Sequence, residues 1–115
     1  MTGFLYHLAR RGEWQAAEAE GLYQGSADDR RDGFLHFSTA EQVVESCARH
    51  RAGEADVMLV VVPEDAVGPW RWEPSRAGAL FPHLYGPLPL KAVVAVHALP
   101  LDEANSHIFP PLIDD

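Results

Sequence analysis

The 115-residue chain carries 17 acidic against 9 basic side chains, a formal charge of -8, and Lys91 is its one lysine. So acidic a balance argues against nucleic acid or an anionic membrane as partner, because both are held by Lys and Arg that displace counterions. A hydrophobic fraction of 47% and a charged fraction of 23% exclude a disordered, collagen-like or coiled-coil chain and suit one small domain over residues 1–115.

In chain order, Phe4 to Leu8 is a short apolar, aromatic run that predicts a first strand, closed by the loop signature Arg10-Arg11-Gly12. Alternation sets His7 beside Leu5 and opposite Phe4, Tyr6 and Leu8. Glu13 to Glu20 has strong helix propensity, with Trp14, Ala17 and Gly21 along one stripe. Tyr23 to Asp32 shows turn formers without apolar periodicity and predicts an exposed loop. Gly33 to Ser38 predicts a second strand, with Phe34, His36 and Ser38 on one face and Leu35 and Phe37 on the other.

A capping box, Thr39 with Gln42 or Ser38 with Glu41, opens a second helix whose Ala40, Val43, Val44 and Cys47 aim at the core. Val57 to Val62 is uniformly apolar and belongs in the middle of a sheet. Gly68 to Pro89 is rich in Pro, Gly and aromatics and fits neither repeat nor helix. Ala92 to Leu99 predicts a last core strand, so the core runs over about 4–99, and an acidic, proline-containing tail covers 100–115. The expectation is an α+β domain with two N-terminal helices and two small antiparallel or mixed sheets.

The lone Cys47 forms no internal disulfide and lies on the buried helix stripe, which points to a reducing compartment and a core role rather than a nucleophile. No apolar run approaches the ~20 residues of a membrane span, and the start of the chain lacks a signal-peptide core, so the expectation is a cytoplasmic protein.

Six histidines prompt a metal test. No His-x-x-x-His, cysteine pair or HExxH is present, so no metal is expected from local spacing. A dispersed set of His7, His36 and His83 with Glu73 or Asp32 stays open as an alternative. His36 and Ser38 point together, at a strand that meets a helix N-terminus, toward either a second layer or a cleft. His7 is polar inside an apolar strand and needs a partner or a ligand. Phe81-Pro82-His83-Leu84-Tyr85-Gly86-Pro87 holds His83 and Tyr85 on stiff backbone, either to present them to a ligand or to close the core. Glu73 follows Trp70-Arg71-Trp72; an apolar neighbourhood would raise its pKa for acid–base work, whereas Arg71 or Arg76 would make it a surface ion pair. His50, His97 and His107 have weaker settings, and the Trp70–Trp72 segment offers a surface for homodimer contacts.

Tyr6-His7-Leu8, the run from Gly33 to Gln42, Arg71-Trp72-Glu73 and the run from Phe81 to Leu88, in this order, resemble the domain-of-unknown-function 952 family of small bacterial and plant proteins, over about Phe4 to Val96. The resemblance implies a fold similar to that of ADP-ribosyltransferases, with NAD or a related nucleotide in a cleft between two sheets. It also implies roles: His7 on the ribose, His36 with Ser38 beside nicotinamide, and Glu73 as the carboxylate that stabilises the ribosyl cation. Glu73 and His36 are thus the catalytic candidates, and His7, Ser38, His83 and Tyr85 the ligand-binding ones. Turnover would mean cleavage or transfer at the nicotinamide–ribose bond. No Glu-x-Glu or Gln-x-Glu stands near the chain's end, which disfavours a protein acceptor, and the charge disfavours the RNA substrate of the similarly folded tRNA 2'-phosphotransferases. The alternative is a non-catalytic binding or interaction module whose histidines are structural.

Overall fold

A computed structural model gives the fold, and it describes residues 3–75 and 78–112. The elements are β1 (Phe4–Arg10), α1 (Arg11–Glu20), β2 (Leu22–Tyr23), α2 (Ala27–Asp32), β3 (Leu35–His36), α3 (Ala40–His50), β4 (Val57–Pro63), β5 (Trp70–Pro74), β6 (Leu80–Leu84), β7 (Leu88–Pro89) and β8 (Ala95–Leu99). Single 3-10 turns follow β4 and β7. The result is a small α+β domain, and the strands pair antiparallel in sheets ordered β1-β4-β8, β2-β7 and β3-β6-β5.

The uniformly apolar β4 is central because both of its faces are buried. Met58, Val60 and Val62 face one cluster with Leu5, Ala9, Trp14, Tyr23, Phe37 and Leu84. Val57, Leu59 and Val61 face a second with Tyr6, Val43, Cys47 and Leu99. The α3 helix covers this second face, together with Phe109 and Leu112 of the tail, which is pinned by the Leu101–His107 bridge and by His107 Nε2–H donating to the Glu54 carbonyl at 2.7 Å. The β1 sheet is spliced to the β3 sheet where Tyr6 and Ser38 exchange N–H···O bonds of 2.8 Å.

Several expectations are corrected. Arg10 continues β1 and Arg11 opens α1, so no loop separates them. Gly21 lies past the end of the α1 stripe, as a left-handed C-cap with φ +79°. Tyr23 to Asp32 is no exposed loop. It holds β2 and a third N-terminal helix, α2, opened by a capping box in which Ser26 Oγ accepts from Asp29 N–H and Asp29 accepts from Ser26 N–H. Tyr23, Gly25, Ser26 and Asp29 in it are all buried. Three sheets stand where two were expected, with the short β2–β7 pair as the third.

Thr39 with Gln42 is the box that opens α3; Gln42 Oε1 accepts from Thr39 N–H and its Nε2–H donates to the Leu80 carbonyl. Val44, expected in the core, is exposed. The Gly68 to Pro89 stretch holds the β5–β6 pair and β7, and the last strand begins at Ala95 because a 3-10 turn occupies Leu90–Ala92. Among the described residues no helix is long and apolar enough to cross a membrane.

Candidate functional site

The β3-β6-β5 sheet sorts its side chains by alternation. Trp70, Pro82, Leu84, Leu35 and Phe37 turn inward, leaving Arg71, Glu73, His83 and His36 on the other face. Register sets His36 opposite His83 and Arg71 opposite the same His83, so the three form one row across β3, β6 and β5. Phe34 stacks on the His83 ring at 4.0 Å between centroids and lies 4.6 Å from His36 and 5.1 Å from Tyr85. The Arg71 guanidinium rests over the Tyr85 ring at 4.7 Å. Four of the expected site residues, His36, Glu73, His83 and Tyr85, are therefore brought together on one open face, joined by Phe34 and Arg71.

Glu73 Oε1 accepts from His83 Nδ1–H and from Tyr85 O–H, each at 2.7 Å. Those two hydrogen bonds lower its pKa, the reverse of the rise expected from an apolar setting. The indoles do not provide that setting, because Trp72 pairs with Pro82 in the strand positions of opposite facing. Tyr85 is raised by the same bond. Arg71 is engaged with Tyr85, and Arg76, the other candidate partner of Glu73, lies outside the described residues.

His36 sits between two carboxylates. Its Nδ1–H donates to Asp29 Oδ1 at 2.5 Å and its Nε2–H meets Asp32 Oδ2 at 3.1 Å. A carboxylate facing each ring nitrogen favours the imidazolium, in which both nitrogens can donate. Burial opposes that charge, but the hydrogen bond and the negative charges of Asp29 and Asp32 outweigh it and raise the pKa. Asp29 is 3% exposed; burial opposes its ionisation, and its bonds from His36 and Ser26 more than offset this, so its pKa falls.

His7 lies beneath this face, 3% exposed. Its Nδ1–H donates to the His36 carbonyl at 2.6 Å, so Nε2 is the acceptor and takes the Tyr23 hydroxyl at 2.8 Å. Burial pushes its pKa down, beyond the opposing effect of Asp29. Both ring nitrogens thus serve internal groups, and His7 reaches the site through the backbone of His36. Ser38 is buried at the Tyr6 bridge. Cys47 is buried as expected, its thiol pushed up to about 11 by burial. Among the described residues no three His, Cys, Asp or Glu side chains come together to hold a metal ion, so the dispersed set is not assembled.

The concavity of about 390 Å³ between Arg11, Asp56, Val57, Leu99 and Leu101 shares no residue with the His36 face. Three members of the site were absent from the sequence candidates, Arg71 among them, which entered there only as a surface ion-pair partner of Glu73. Asp29 sat in the segment assigned to a loop, although Ser26-x-x-Asp29 is a capping pattern that marks it; Phe34 was placed on the His36 face by alternation but given no role.

Comparisons with known proteins bear on the whole arrangement. A search of curated proteins returns no match. The crystal structure of protein CC0527 from Caulobacter crescentus is 40% identical, with a TM-score of 0.85 over 91% of this chain and 93% of that one. The solution NMR structure of the same protein gives 41% identity and a TM-score of 0.80 over 90% of each chain. The family model described as "Protein of unknown function (DUF952)" matches residues 8–96, which runs from the end of β1 into β8 and takes in the face of His36, Glu73, His83 and Tyr85, and the chain belongs to that family.

Proposed function

We propose that the His36 face binds NAD or a related nucleotide. The observation that carries this is the row of Arg71, His83 and His36, with Glu73, Tyr85 and Phe34 around it, on the open side of one small sheet. Aromatic rings suit a base or nicotinamide ring, the cations Arg71 and His36 suit phosphate, and a carboxylate suits ribose hydroxyls. The ADP-ribosyltransferase-like assignment of the fold belongs to this proposal. What supports it is the splice of two antiparallel sheets at Tyr6 and Ser38, with His7 on the first strand and Glu73 on a later one. A small-molecule partner in the cytoplasm, rather than nucleic acid or membrane, fits the net charge of -8 and the lone reduced Cys47.

Glu73 is the residue for chemistry. Its pKa is held down by His83 and Tyr85, so it stays a carboxylate, and its second oxygen makes no hydrogen bond among the described residues. Placed against C1' of the ribose, such a carboxylate stabilises the positive charge that develops as the bond to nicotinamide breaks and its electron pair leaves with the ring. The oxygen of a water molecule then bonds to C1' and its proton passes to solvent, which leaves a free ribose end and neutral nicotinamide.

The test is a calorimetric titration with NAD, ADP-ribose and nicotinamide, followed by an assay for nicotinamide release. Glu73→Gln is expected to keep the fold and to slow release by about a hundredfold or more, the scale of losing one electrostatic stabiliser. Binding without turnover in both forms would favour the non-catalytic module, a reading to which the closed hydrogen-bonding of His7 already lends weight. No binding of any nucleotide would end the proposal.

A further inference from the structure

The two carboxylates on His36 differ in kind. Asp29, 3% exposed, accepts four hydrogen bonds: from Ser26 N–H and O–H and from His36 N–H and Nδ1–H. Freeing it would strand a buried charge. Asp32, one turn on along α2, is about a third exposed and is shared between His36 Nε2 and Arg31 Nε, each at 3.1 Å. Freeing it returns a carboxylate to water, and exposed ion pairs of this kind are weak. The outward N–H of His36 is therefore satisfied by an exchangeable anion, while its inward N–H is locked. On the same row, two strand spacings or about 10 Å away, Arg71 lies over the Tyr85 ring, acts on Glu73 only at longer range, and makes no salt bridge among the described residues.

We propose that Asp32 stands in for a phosphate group: the phosphate of the ligand displaces it from His36 Nε2, while Asp29 keeps its hold and Arg71 supplies the second cation. The inference rests on the nucleotide reading above and specifies which end of the ligand His36 takes. Asp32 then acts as a gate that a neutral ligand does not open. Phosphate could arrive free or as part of a nucleotide, and the experiment separates the two.

Calorimetric titrations with inorganic pyrophosphate, inorganic phosphate and ADP-ribose would be run on the wild type and on Asp32→Asn and Asp28→Asn. Asp28 lies on the same helix, pairs with Arg31 and makes no contact with His36, so its neutralisation changes the net charge by the same amount. Asp32→Asn is expected to tighten pyrophosphate by about fivefold, the size of one exposed ion pair, and Asp28→Asn by less than about twofold. His36→Gln should abolish the difference between them. Equal tightening by both Asn variants, or none, overturns the gate. Tightening for ADP-ribose beyond pyrophosphate supports a nucleotide as the source; tightening confined to the inorganic ions supports the gate while ending the nucleotide reading. Wild-type binding of ADP-ribose that Asp32→Asn leaves unchanged ends the gate and spares that reading.

Discussion

Two histidines 29 positions apart in sequence have their pKa values moved in opposite directions by their surroundings. His7, buried and donating to the His36 carbonyl, has a lowered pKa that favours the neutral ring; His36, between Asp29 and Asp32, has a raised one that favours the imidazolium. Each makes its own contribution to stability against pH, measured from the ordinary value of 6.5. The ion pairs of His36 are fully present below 6.5 and are lost as pH rises through its raised folded value. Neutral His7 stabilises above 6.5, and that is lost as pH falls through its lowered folded value. Asp29, lowered from 3.8, adds a further loss at more acid pH. Urea denaturation from about pH 5 to 8.5 is expected to show greatest stability near the middle of that range. In His36→Gln the alkaline decline should flatten; a decline of unchanged slope would contradict the assignment of charge to His36. His7→Ala leaves the Tyr23 hydroxyl and the His36 carbonyl without a partner inside the core and should cost about 2–4 kcal/mol in the same assay.

Among the elements, α2 supplies the two carboxylates that hold His36, and it was hidden in the sequence. Its six residues, Ala27–Asp32, are too few and too polar to show an apolar period, so the segment reads as loop; what makes it a helix is the Ser26–Asp29 capping box and the burial of Asp29 against β3. Gly25 is the tight point, with φ +96°, where an added Cβ would lie 2.5 Å from the Asp29 Cβ and 2.6 Å from Leu35 Cδ2. Gly25→Ala should therefore cost about 2 kcal/mol or more and loosen His36 with it, seen as a fall in melting temperature together with a lower His36 pKa by NMR. A variant as stable as the wild type would show that α2 is not held this way. The long, periodic elements were legible: β1, α1, α3 and β4 stand where propensity and alternation put them, within two or three residues at their ends. The β5–β6 pair was not, because Pro74 and Pro82 argue against a strand, although alternation within Phe81-Pro82-His83-Leu84 explains why His83 faces out while Pro82 and Leu84 are buried.

At the scale of the molecule, the β1-β4-β8 sheet is packed on both faces, and the second face is completed only by residues beyond β8. Phe109 and Leu112 cover the Tyr6–Val43–Leu99 cluster, and His107 ties them to Glu54. Truncation after Pro100 should lower stability by about 2–4 kcal/mol, read from the urea midpoint, since it uncovers two large side chains' worth of apolar contact; an unchanged midpoint would mean that the tail merely rests there. No period marked that tail, so its packing was beyond sequence reading. Alternation and stiff backbone singled out His36, His83 and Tyr85 one by one, but their grouping with Glu73 depends on strand register across β3, β6 and β5, which no local run carries, and His7, expected with them, lies beneath the face. The central claim is that this face binds a nucleotide. An NMR titration of the 15N-labelled protein with NAD tests it most directly, by following backbone amides through the full chain. The expected result is saturable shifts confined to residues 29–37, 71–73 and 83–85, with little change around Leu99 and Phe109. Shifts that instead gather at Arg11, Asp56 and Leu101, or no shifts at millimolar NAD, would contradict it.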